Sequence, residues 1–177
     1  MKKNWWFITS AWTGTVVAFF GMFLSLVVIP NYLIECSPFE QMLAEVAGSV
    51  KGLFPIALYN AFMIITMSLC ALSVSFLVLD TFKLLFLHSK KLNLIKIIFA
   101  ATLAVFGLVV MIFGCVYAGT LNEQMGNVQV GASPFVVFMG ALICSGAVII
   151  NYFFTRNDYK QRDEFIEIVA EMVNTTM

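Results

Sequence analysis

The chain has 177 residues, 61% of them hydrophobic and 11% charged, with a formal net charge of zero. Soluble domains run at about 45–50% apolar and about 25% charged, so this chain has too few charges to cover a water-facing surface. A zero balance offers no basic excess for nucleic acid, and one histidine with four cysteines (Cys36, Cys70, Cys115, Cys144) and no CxxC pair points to no metal or cofactor.

A hydrocarbon core of about 30 Å takes about 20 apolar residues in a helix. Four stretches qualify, at about 5–29, 53–79, 94–118 and 134–154, which predicts an all-α bundle of four transmembrane helices with short loops. None of the four contains an acidic residue. The first follows Lys2 and Lys3 as a signal peptide would. Its apolar run is longer than an h-region of about 7–15 residues and ends at Pro30, so it reads as a permanent helix.

The loop between the first two spans carries a helix start. Ser37-Pro38-Phe39-Glu40 is a capping box with proline at its first helical position. Phe39, Met42, Leu43 and Val46 follow at i, i+3, i+4 and i+7, which predicts a short amphipathic helix and a partner-binding face. Its alternative role is to cap its own bundle. The second and third spans are joined by a hairpin holding Lys83, His88, Lys90, Lys91 and Lys96. The loop before the fourth span contains "NVQV", a short extended turn. Ser133 before Pro134 reads as the N-cap of the last span.

After Arg156 the chain turns polar, and residues 157–177 are expected to form a cytoplasmic amphipathic tail distinct from the bundle of 1–156. Phe165, Ile168, Val169 and Met172 fall on one helical face, with Asp163, Glu164, Glu167 and Glu171 opposite. An acidic helix is repelled by anionic lipid, so a protein partner or the underside of the bundle suits it better.

Orientation follows from lysine and arginine. The N-terminus, the central hairpin and the tail carry nine of the ten basic residues, leaving only Lys51 on the other side. Lys2, Lys3, Lys83, Lys90, Lys91, Lys96 and Arg156 are thus expected to anchor the topology with both termini cytoplasmic. The four prolines all lie at or beyond the outer edge.

No constellation for catalysis stands out. His88 has no acid within seven residues, and general acid–base work needs a partner at hydrogen-bond reach. Asp80 pairs naturally with Lys83 at the inner end of the second span. Asn60 and Asn151 read as hydrogen-bonding glue between helices. Small residues four apart, such as Ser10/Gly14, Gly21/Ser25, Ala71/Ser75, Ala100/Ala104, Gly114/Ala118 and Gly140/Cys144, let helix backbones approach closely. Cys36 and Cys115 fall on the oxidising side, so a disulfide between them is chemically allowed. Cys70 and Cys144 are mid-span packing residues.

Four spans, cytoplasmic ends and small outer loops resemble the layout of eukaryotic tetraspan proteins, over the whole chain and without a specific motif. The claudin Trp…Gly-Leu-Trp…Cys…Cys signature and the tetraspanin Cys-Cys-Gly are both missing. The loop sizes are most similar to MARVEL-type proteins and the membrane-spanning four-domain family. The layout implies a non-enzymatic plasma-membrane protein that organises, traffics or joins other membrane proteins or itself, as at cell–cell contacts. The alternative is a small channel or transporter subunit acting as an oligomer, for which Thr9, Ser10 and Thr13 begin a polar strip. The bilayer is the one sure partner, and the residues point to no small-molecule substrate.

Overall fold

A computed structural model describes residues 2–29, 34–40, 54–81 and 90–176, with side chains for 5–29, 37–40, 58–79, 94–123 and 126–154. Four long helices are joined at one end by a small sheet. Helix α1 is Lys2–Phe20, α2 is Phe54–Thr81, α3 is Lys90–Met125 and α4 is Ser133–Thr176. Strands β1 (Val27–Ile29), β2 (Ile34–Cys36) and β3 (Gln129–Val130) form an antiparallel sheet in the order β2-β1-β3.

Three helices are long and apolar enough to cross a membrane, at Leu58–Leu79, Leu94–Glu123 and Ser133–Phe154. The first expected span differs. It stops at Phe20 instead of reaching residue 29, leaving 19 helical residues, or about 28 Å at 1.5 Å per residue. The last turn tightens: Met22 N–H donates to Phe19 C=O (3.1 Å) and Phe23 N–H to Phe20 C=O (3.0 Å). Such i→i−3 bonds close a helix end. Beyond them, Val27, Val28 and Ile29 are β-branched and pack well in a strand.

The helices run up, down, up and down. Gly14 of α1 lies against Gly140 and Cys144 of α4, and Gly21 lies against Val137. Phe7 meets Phe154 with ring centroids 5.6 Å apart, so the pairing is antiparallel along its whole length. A Cβ on Gly140 would stand 2.6 Å from Ala18 N and from Gly14 O. That leaves room only for glycine where the two backbones meet. Helix α3 packs on the other side of α4: Gly107 faces Ala141, and the Ser145 hydroxyl donates to Ala100 C=O at 2.8 Å. Helix α4 is therefore central, with half of its apolar span buried against 28% for α2 and α3. Of the small pairs, Ala71 and Ser75 are exposed and lie off the packed helix faces among the described residues.

Helix α4 continues to Thr176 without interruption. Residues 157–176 of the expected tail are helical and form its C-terminal part. No glycine or proline occurs between Phe154 and Asp163 to end it. At the end of α3, Gly126 adopts φ +67° and its N–H donates to Asn122 C=O at 2.9 Å. This is the left-handed helix ending that glycine favours. Asn127 follows at φ +56°, and the Asn122 side-chain oxygen accepts from Val128 N–H at 3.0 Å. The chain is thereby turned into β3.

Candidate interaction surface at the sheet end

The sheet is tied to the helices by backbone bonds. Gly131 N–H donates to Leu26 C=O (2.7 Å) and Ser133 N–H to Ser25 C=O (3.0 Å). A side chain on Gly131 would run into the Ser25 carbonyl, so only glycine lets β3 approach β1 this closely. The extended turn read in "NVQV" is thus a paired strand, with Val27 opposite Val130 and Val28 opposite Gln129.

Beneath the sheet lies a core of Leu26, Val27, Tyr59, Met63, Val110, Tyr117, Val128 and Val137. Within it, the Tyr59 and Ser133 hydroxyls are 2.8 Å apart. Ser133 had the sequence signature of an N-cap. In the structure its hydroxyl meets the tyrosine, and it is Ala132 C=O that accepts from Val136 N–H at 3.1 Å.

The capping box forms. Ser37 N–H donates to Glu40 Oε2 at 3.1 Å, and Glu40 N–H donates to Ser37 Oγ at 3.3 Å. Phe39 N–H is held by Met22 C=O at 3.2 Å. The Phe39 ring is 5.2 Å from Phe23, which is 5.4 Å from Phe19. All three rings are exposed, making an aromatic row beside the sheet. Met42, Leu43 and Val46, the rest of the expected outer face, lie outside the described residues.

Farther from the sheet, small polar groups are absorbed by packing. Cys144 Sγ donates to Ala11 C=O at 3.3 Å and lies 3.7 Å from Thr15 Oγ1, with Cys70 in the same buried cluster. Thr9 and Thr13, two of the three residues read as starting a polar strip, bond their hydroxyls to backbone carbonyls. Thr9 Oγ1 donates to Trp6 C=O (2.9 Å) and Thr13 Oγ1 to Thr9 C=O (2.9 Å), within their own helix.

Two expectations change. Lys96, read as an interfacial anchor, is completely buried. It shares one face of α3 with Ala100, Leu103, Gly107, Val110 and Gly114, all buried, and this i, i+4, i+7 series was present in the sequence. Asn60, read as glue between helices, is buried, and neither amide atom is hydrogen-bonded among the described residues. Cys115 carries a free thiol, while the side chain of Cys36, its allowed disulfide partner, lies outside the described ones.

The side chains of Lys2, Lys3, Lys90, Lys91 and Arg156 lie outside the described ones, as do all atoms of Lys83 and His88. Phe165, Ile168, Val169 and Met172 lie on α4 at positions sharing one side of the helix, with side chains beyond the described set. Among the described residues, no three His, Cys, Asp or Glu side chains gather as metal ligands. The chain matches no family model, and no curated protein or solved structure is detectably similar to it.

Proposed function

We propose that this is a four-span, non-enzymatic protein of the plasma membrane that joins or organises other membrane proteins through its sheet end and its C-terminal helix. In this reading α1 is the fourth span, the termini are cytoplasmic and the sheet faces outward. Helix α1 runs beside α4 from the Phe7–Phe154 contact to Gly21 and Val137. It therefore covers most of the depth of an apolar span that ends at Phe154. Nine of ten basic residues fall on the side of the termini, as the positive-inside rule requires.

The observation that carries the reading is the aromatic row Phe19–Phe23–Phe39, which stands beside a sheet braced by backbone bonds. The bundle behind it has a packed interior: Tyr59, Met63, Leu77, Leu103, Val110, Val137 and Val148 are all buried. A firm exposed platform on a filled bundle suits recognition better than transport. Truncation after Arg156, combined with Phe39→Asp and Met42→Asp, tests it. The set of co-purifying membrane proteins should shrink, or the cellular location should change. If both stay as in the wild type, the reading is wrong.

A further inference from the structure

A cleft of about 120 Å³ opens at the sheet end between Phe23, Ser25, Ser37 and Glu40. Its lining is predominantly polar, and three of its four walls carry side-chain oxygens. Glu40 uses Oε2 to accept from Ser37 N–H, leaving Oε1 and further lone pairs on both oxygens. Ser37 Oγ accepts from Glu40 N–H and keeps a second lone pair. Phe23 closes the fourth side with a half-exposed ring. Lys96 is the one basic residue whose side chain is described, and it lies toward the opposite end of the bundle, so among the described side chains no cation neutralises Glu40.

From this geometry we infer a site for a primary ammonium group. Its three N–H donors meet the Glu40 carboxylate and the two serine hydroxyls, and the attached carbons rest on Phe23. A cation beside an aromatic ring gains further attraction. A single carboxylate is too little for a divalent metal, which gathers several oxygen ligands. The volume also exceeds what a bare ion fills. The cleft stands at membrane-boundary depth: Ser25 C=O accepts from Ser133 N–H, and Ser133 begins an apolar span. The ammonium therefore comes from a lipid headgroup or from a free amine in the surrounding water.

The test uses the full chain in nanodiscs. In one arm the lipid is phosphatidylcholine only, and ethanolamine is titrated with saturation-transfer NMR as the readout. In the other arm phosphatidylethanolamine is added, and native mass spectrometry counts retained lipid. Saturable ethanolamine binding identifies a free-amine site, and selective retention of phosphatidylethanolamine identifies a headgroup site. Either supports the inference provided Glu40→Gln weakens it by about tenfold or more, as expected when a charged acceptor becomes neutral. Glutamine also serves in capping boxes, so this variant keeps the local fold. Choline in place of ethanolamine, lacking N–H donors, should bind more weakly. Absence of saturable binding in both arms, or equal binding by wild type and Glu40→Gln, overturns the inference.

Discussion

The Tyr59 and Ser133 hydroxyls, 74 residues apart in the chain, lie 2.8 Å from each other in a core where both residues are fully buried. Each is the other's described side-chain partner, so removing one strands the other. Tyr59→Phe should destabilise the protein by about 1–3 kcal/mol, the cost of a buried unsatisfied hydroxyl. Ser133→Ala should cost a similar amount, and the double variant less than the sum of the two. Thermal unfolding of all three in one detergent checks this. Additive losses would mean the hydroxyls act independently.

Asn60 presents the reverse case. Its amide is buried with no partner among the described residues, which opposes folding. Asn60→Leu, similar in volume, should raise the melting temperature, with a gain of about 1–3 kcal/mol from removing an unpaired polar group. A lower melting temperature would show that the amide is satisfied in the folded protein by a group beyond the described residues.

At the α1–α4 contact the fit is set by Gly140. Gly140→Val should push the helices apart, at about 1–3 kcal/mol for overpacking. A Phe7→Cys/Phe154→Cys pair reports the separation, because those rings are 5.6 Å apart at the far end. The yield of oxidative cross-linking should fall when Gly140→Val is added. An unchanged yield would place the strain elsewhere.

Burial of Lys96 is directly measurable. A water-soluble acylating reagent should leave its amine unmodified in the folded protein in detergent and label it after denaturation, as peptide mass spectrometry can read. Prompt labelling of the folded protein would contradict complete burial.

The long apolar elements were legible because their signal is simple: three of the four expected spans coincide with helices that meet length and hydropathy requirements. The capping box was legible because its two hydrogen bonds are local, spanning three residues. The sheet was not. Val27, Val28 and Ile29 are as apolar as any span, and pairing with Ile34–Cys36 and with residues about a hundred positions later separates strand from helix at that point. Lys96 was misread for a related reason. Residue type and distance from the span's edge suggested an anchor, while its place on the packed face of α3 decided its surroundings. The surface beside the sheet was visible only in part, since Phe39 could be named from periodicity but its contact with Phe23 depends on how α1 ends.

The clamp between β3 and the segment after α1 also sets an order of assembly. Leu26 and Ser25 receive their bonds from Gly131 and Ser133, which leave the ribosome long after α1 has been made. Helix α1 can dock along its length only once α4 exists, because α4 is its largest neighbour. Until then its small-residue face lacks the α4 backbone it fits, and Val27–Ile29 has only the neighbouring strand Ile34–Cys36 to pair with until β3 is made. Contacts so distant in sequence form slowly, so the interval between synthesis of α1 and arrival of α4 is when the chain is most exposed to mispairing with other nascent membrane proteins.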